Sequence, residues 1–299
     1  ANKVYCTVSE KMSTEPLAKK PKPTNDDDTN GSKMKLRKLG FCGVDDSVPP
    51  RMLGLICQSY PFVEFGVLFR ADKEGQPRYA GQEWITELSK IVQTSNNKMS
   101  LAAHICGKRV NDIIENTTEG QQFLSSLKPL GFHRVQINAT AVNGVDTSKL
   151  AQSVGTLAEI IDSYPQLEFI IQKNDETKPL WEGLLNSPSH GGSEGKLPDN
   201  VVMLVDESKG TGVLASSWPT PPNGYNIGYA GGIGPDNVKS VLTDIMSVAK
   251  GRDVWIDMES SLRTVLKDGA DVFDLGKCYK CIEVVCELGL FDHPSFLLS

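Results

Sequence analysis

The chain has 299 residues, 39% of them hydrophobic and 23% charged, with 31 Lys and Arg against 37 Asp and Glu for a formal net charge of -6. That composition suits a folded domain with a large core and excludes fibrous and fully disordered classes. The acidic balance argues against a broad electropositive surface for nucleic acid.

No run of about 18 apolar residues and no apolar segment at the start is present, so neither a membrane partner nor a secretory route is expected, and the location is read as cytoplasmic. The seven cysteines are odd in number and irregularly spaced, which fits reduced thiols better than a disulfide framework.

Residues 1–36 read as a flexible tail: polar, poor in aromatics, with Lys19-Lys20-Pro21-Lys22 followed by Asp26-Asp27-Asp28. The Lys19 to Lys22 cluster is a weak nuclear signal, and a solvated tail is the better reading of it. Met12-Ser13-Thr14-Glu15 has the form of a translation start.

From residue 37 to 299 short apolar runs alternate with segments of helical period, as βα units around a parallel sheet require. Strands are expected at Lys38 to Val44, Val63 to Phe69, Ser100 to Ile105, Arg134 to Asn138, Glu168 to Gln172, Val201 to Asp206, Tyr225 to Ala230 and Val254 to Met258. Helices are expected at Pro50 to Tyr60, Gln82 to Ser95, Val110 to Glu115, Ser148 to Tyr164, Lys178 to Asn186, Asp236 to Lys250 and Asp274 to Leu288. Eight alternations favour closure into a (β/α)8 TIM barrel over an open doubly wound sheet.

In such a barrel the chemistry sits at the C-terminal strand ends and the loops after them. Those positions hold Cys42 with Asp45 and Asp46, Arg70 and Arg78, His104, Asn138, Gln172, Asp206, and Asp257 with Glu259 and Ser260. After the seventh strand, Ala230-Gly231-Gly232-Ile233-Gly234-Pro235-Asp236-Asn237 pairs a glycine-rich turn with a helix start, and is read as a phosphate cradle. A phosphate-bearing small molecule is therefore the expected partner.

Three other features are weighed more conservatively. His104 is either a hydrogen-bonded core residue or a site residue; with Glu64, Asp206, Asp257 and Glu259 it has the chemistry of a divalent-metal set, but no local ligand spacing supports one and no metal is expected. Cys278, Cys281 and Cys286 form C-x2-C-x4-C, read as packing on an apolar helix. Trp218 either covers an aromatic ligand or pins its loop. Nothing fixes the oligomeric state.

Several blocks resemble phosphoribosylanthranilate isomerase, in the same order: Leu39-Gly40-Phe41-Cys42-Gly43-Val44, Gln76-Pro77-Arg78-Tyr79, Leu204-Val205-Asp206 with Gly210-Thr211-Gly212, Tyr229 to Val238, and Ile256-Asp257-Met258-Glu259-Ser260-Ser261. The resemblance spans most of Lys38 to Leu288. It implies an Amadori-type rearrangement of a phosphoribosyl aryl amine, as in tryptophan biosynthesis, without a cofactor. By resemblance Cys42 is the general base and Asp206 the general acid, Arg78 holds the anthranilate carboxylate, and Gly231, Gly232, Gly234, Asp257 and Ser260 surround the sugar-phosphate substrate. His104 is a substrate-binding candidate from its strand-end position, with no place in the family's mechanism.

The reaction requires a lowered pKa at the thiol and a raised one at the acid. This chain departs from the family pattern in having Ser261 where a glycine is usual, Glu259 beside it, and Arg263 as the compensating cation. Gln136-Ile137-Asn138 likewise replaces Gln-Leu-His-Gly at the fourth strand. Two alternatives stand beside the isomerase: a diverged barrel enzyme acting on another sugar phosphate, and a noncatalytic metabolite-binding barrel.

Overall fold

The computed structural model describes residues 34–94, 99–187 and 196–291. Eight parallel strands close into a barrel in simple chain order: β1 (Leu36–Cys42), β2 (Val63–Phe69), β3 (Ser100–Ile105), β4 (Arg134–Ile137), β5 (Glu168–Lys173), β6 (Val201–Val205), β7 (Ile227–Tyr229) and β8 (Val254–Met258). Closure is made by β8 against β1, with Gly40 opposite Asp257. The (β/α)8 barrel is thus the fold, and β1 opens one residue before the expected boundary at 36/37. Of the expected tail, residues 1–33 with the Lys19 to Lys22 cluster lie outside the described residues, while Met34 and Leu36 are buried in the barrel's core.

The helices are α1 (Pro50–Ser59), α2 (Gln82–Thr94), α3 (Lys108–Ile114), α4 (Thr118–Leu127), α5 (Val154–Ser163), α6 (Lys178–Leu185), α7 (Val238–Ala249) and α8 (Leu275–Glu287). No helix among the described residues is long and apolar enough to cross a membrane. The expected helix from Ser148 resolves into a 3₁₀ turn, Thr147–Lys149, and α5, which starts at Val154. The helix expected from Asp236 starts at Val238. A short antiparallel hairpin, β9 (Arg263–Val265) with β10 (Asp271–Phe273), follows β8.

Strand alternation sorts the core into two layers. Phe65, Val67, Leu101, Phe169, Met203 and Ile256 face outward onto the helices and join the main apolar cluster. Ile170, Val202, Leu204, Ala230 and Trp255 form a separate cluster inside the barrel. On α8, Cys278 and Cys281 are buried members of the outer core, as expected of small hydrophobes.

Gly228 is bare because the Trp255 indole fills the place of its Cβ. Gly228→Ala is therefore expected to lower stability by about 1–3 kcal/mol through overpacking, seen as a lower urea midpoint at unchanged m-value.

The lower end of the barrel is closed by charge. Arg134 donates to Glu64 at 2.5 Å and to Glu168 at 2.7 Å, Ser100 Oγ donates to Glu64 at 2.9 Å, and the guanidinium lies 4.8 Å from the Trp255 ring centre. This plug leaves the opposite, C-terminal end as the open mouth.

Candidate active site

At that mouth lies a cavity of about 340 Å³ lined by residues from β1, β3, β4, β5, β6, β8 and the loops after β6, β7 and β8. Cys42, His104, Asp206, Gly231, Gly232, Asp257 and Ser260 all line it, so the structure brings together most of the residues read from the sequence. Gly234 lies on the outer side of its loop, in a separate depression, and Arg78 stands at the rim.

On one wall, the Cys42 thiol and His104 Nδ1 share a hydrogen bond of 3.1 Å. Both side chains are buried, and two bare backbone positions make the room: a Cβ on Gly66 would lie 2.8 Å from His104 Nε2, and one on Gly40 would collide with Asp257 Oδ1.

Burial pushes the Cys42 thiol well up, and the carboxylates of Asp257 and Glu259 add to it. Burial also pushes His104 down to about 4. The pair therefore rests as neutral thiol and neutral imidazole. This is opposite to the lowered thiol that the resemblance implies, because burial disfavours the thiolate and the neighbouring groups are acidic and not cationic.

Asp257 is pushed well above the usual carboxylate range by burial and by the neighbouring acids Glu64, Glu259 and Asp206, against Arg134. Glu259 is raised by burial and partly restored by Arg78.

Across the cavity Asp206 accepts three hydrogen bonds, from Ser208 Oγ at 2.5 Å, Gly210 N–H at 3.0 Å and Gln172 Nε2 at 3.1 Å. Gln172 Nε2 is spent on Asp206, and its buried Oε1 has no partner among the described residues. Between the two walls Gln136 Nε2 donates to Asn138 Oδ1 at 2.7 Å, and Asn138 Nδ2 to Cys106 Sγ at 3.4 Å. Gln172, Asn138 and Ser208 complete the site; the first two stood at strand ends in the sequence, but their bonding depends on neighbours that only barrel closure supplies.

The glycine loop is shaped by its protein neighbours. Gly231 and Gly232 have φ of 105° and 65°, where only glycine sits without strain, and Leu214 of the loop after β6 occupies the place of a Gly232 Cβ. Asn237 ties the turn internally, accepting from Gly234 N–H at 2.8 Å and donating to Gly232 O at 2.8 Å. One N–H of the expected cradle is thus already satisfied, and the part facing the cavity is Gly231 to Ile233 with Ser260 and Ser261. Ser261 fills the space above Gly234 and donates to Ile233 O at 2.5 Å.

Two expected cations are committed elsewhere. Arg263 is buried and binds Asp45 at 2.7 Å, Asp271 at 2.8 Å and Gly43 O at 2.8 Å, so it does not compensate the altered loop after β8. Arg78 binds Glu259 at 3.1 Å, Ser260 Oγ at 3.0 Å and Asp271 at 3.5 Å, which neutralises Glu259 and leaves the guanidinium already occupied. Trp218 is buried edge-on against Tyr229 with ring centres 5.6 Å apart, and pins its loop instead of covering the mouth.

No protein-family model and no curated protein matches the sequence. Among solved structures, the chain is similar to N-(5'-phosphoribosyl)anthranilate isomerase from Pyrococcus furiosus at 13% identity, over 84% of this chain and 98% of that one, with a TM-score of 0.44. The phosphoribosyl anthranilate isomerase from Thermococcus kodakaraensis gives 12%, 84%, 99% and 0.43 in the same terms. The phospho-2-dehydro-3-deoxyheptonate aldolase from Thermotoga maritima gives 12%, 87%, 70% and 0.46. Likenesses this distant do not bear on what the chain binds.

Proposed function

We propose that the barrel is an isomerase acting on a small phosphorylated sugar derivative held in the mouth cavity. The reaction is an Amadori-type rearrangement of a phosphoribosyl aryl amine, as in tryptophan biosynthesis. One observation carries the reading: two proton-handling groups, Cys42 on β1 and Asp206 after β6, line the same cavity from walls separated by β7 and β8. The rearrangement needs a proton given to the ring oxygen and another taken from C2, hence two groups on different sides of the sugar.

Asp206 is oriented for the first task by its three donors. For the second, His104 gives the Cys42 proton somewhere to go, at 3.1 Å, which offsets in part what burial withholds. The phosphate lies against Gly231 to Ile233 and Ser260, with Glu259 neutralised by Arg78.

A second reading, isomerisation of another sugar phosphate, is favoured by Arg78, whose engagement with Glu259 and Asp271 competes with an aryl carboxylate.

The deciding assay follows the loss of phosphoribosylanthranilate fluorescence, with Cys42→Ala and Asp206→Asn as controls. Turnover lost in both variants is the expected result, and full activity in either rules out the assignment. Ribose 5-phosphate at 100 times its Kd is expected to stabilise the protein by about 2.7 kcal/mol, read as a rise in Tm. Stabilisation without turnover of any sugar phosphate would identify a binding barrel.

A further inference from the structure

We propose that Cys42, His104 and Asp257 form a binding site for one thiophilic divalent cation of the zinc class, with its open coordination position facing the mouth cavity. One ligand atom from each of the three side chains lies within 4.8 Å of the others. A tetrahedral zinc ion takes sulfur at about 2.3 Å, imidazole nitrogen at about 2.0–2.1 Å and carboxylate oxygen at about 2.0–2.2 Å. Donors set at those lengths stand roughly 3.3–3.6 Å apart; the Cys42–His104 contact of 3.1 Å is a little shorter than that and the widest separation in the cluster is within 4.8 Å.

Three further observations single out this cluster. First, the donor set is one sulfur, one nitrogen and one oxygen, which selects zinc, cobalt and similar ions over magnesium and calcium. Second, Asp257 accepts no hydrogen bond from any described residue. The other carboxylates inside the barrel are each matched: Glu64 by Arg134 and Ser100, Glu259 by Arg78, and Asp206 by Ser208, Gly210 and Gln172. Asp257 alone, among the described residues of this interior, lacks a donor or cation in contact.

Third, the space for the cluster is made by missing side chains on two adjacent strands. A Cβ at Gly40 would strike Asp257, and one at Gly66 would crowd both His104 and Cys42. Three protein ligands with the fourth side on a cavity is the arrangement of an open, exchangeable site.

The sequence places His104 and Asp257 in a candidate metal set but leaves out Cys42, because the three members lie on β1, β3 and β8, 62 residues apart at the closest, and show no local ligand spacing. Binding releases the Cys42 thiol proton, and the proton of Asp257 where it is held, to solvent, and the freed sulfur and carboxylate lone pairs then go to the metal. A sulfur so engaged accepts no proton from a substrate, so metal loading and the isomerisation proposed above exclude one another at Cys42. Binding is accordingly read by spectroscopy and not by turnover, and its failure leaves the isomerase reading untouched.

The test uses the full chain, stripped with a chelator and titrated with Co²⁺. The expected result is one equivalent bound, with the visible bands of tetrahedral cobalt and a near-ultraviolet thiolate-to-cobalt charge-transfer band, both erased by Zn²⁺. Cys42→Ser should remove the charge-transfer band, and His104→Ala and Asp257→Asn should each weaken binding by at least the roughly 100-fold that loss of an outer-shell partner brings. Cys106→Ser, a neighbouring buried thiol outside the cluster, should change nothing.

Metal-free melting curves check that each variant folds. If one does not, the charge-transfer band of the unaltered protein, retained in Cys106→Ser, still decides. Absence of that band, its loss in Cys106→Ser, or undiminished binding in folded Asp257→Asn overturns the proposal.

Discussion

Asp206→Asn is expected to lower kcat of the proposed isomerisation by about 10²–10⁴-fold, the usual contribution of a positioned acid or base. The exchange is close to isosteric, and the hydrogen bonds show how the fold absorbs it. Oδ2 accepts from the Gly210 N–H, which cannot reverse its role, and from the Gln172 amide. Oδ1 accepts from the Ser208 hydroxyl, which can turn to accept instead. Asparagine therefore places its oxygen toward Gly210 and Gln172, whose donors stay matched, and its nitrogen toward Ser208, whose freed O–H lies on the cavity wall.

The stability change should accordingly stay below the cost of about 1–3 kcal/mol for an orphaned buried group. A fall in kcat with KM little altered and a nearly unchanged melting temperature would mark Asp206 as a proton-transfer residue. A collapse of the melting temperature, or unchanged turnover, would instead make it a pin for the loop after β6.

The barrel itself was legible because each strand is covered on its outer face by helices, which forces short apolar runs at Val63–Phe69, Ser100–Ile105 and Val254–Met258 with bounds that survive unchanged. Missed elements are those with weak periods. The α4 segment carries Gly120 and few buried apolar residues; the glycine is required because the Asp112 carbonyl passes within 2.5 Å of where its Cβ would stand. The β9–β10 hairpin has three-residue strands and mixed polarity.

In the site, strand-end position was enough to find Cys42, His104, Asp206 and Asp257. What it did not reveal is which charges cancel. Arg78 meets Glu259 across 181 positions of chain, and Arg263 meets Asp45 across 218, so the two cations assigned to ligand binding were committed to partners that no local pattern shows. The direction of the Cys42 shift was hidden for the same reason: barrel closure buries the thiol and brings Asp257 beside β1.

The second large effect is structural and lies at the closed end. Arg134→Ala is expected to cost about 3–5 kcal/mol of stability, because it strips a buried ion pair of one partner and leaves Glu64 with only Ser100 as a donor. Burial alone would raise the Glu64 carboxyl; the charges of Arg134 and Lys38 and the hydrogen bonds from Ser100 and Arg134 outweigh it and hold the group below its ordinary value.

A carboxyl lowered by folding contributes stability that is fully present above the unfolded value, about 4.3 for Glu, and is lost as pH falls through the folded one. Without Arg134 burial dominates and the shift changes sign, so the variant gains stability as Glu64 protonates. The gap between the two proteins in urea denaturation should therefore be widest near pH 7 and narrow below about pH 4.

A double variant, Glu64→Leu with Arg134→Met, removes both charges and should recover most of the loss, since Glu168 is partly exposed and still lies 3.9 Å from Arg37. An Arg134→Ala midpoint equal to that of the unaltered protein, or a gap that widens in acid, would show that this ion pair is not what closes the lower end of the barrel.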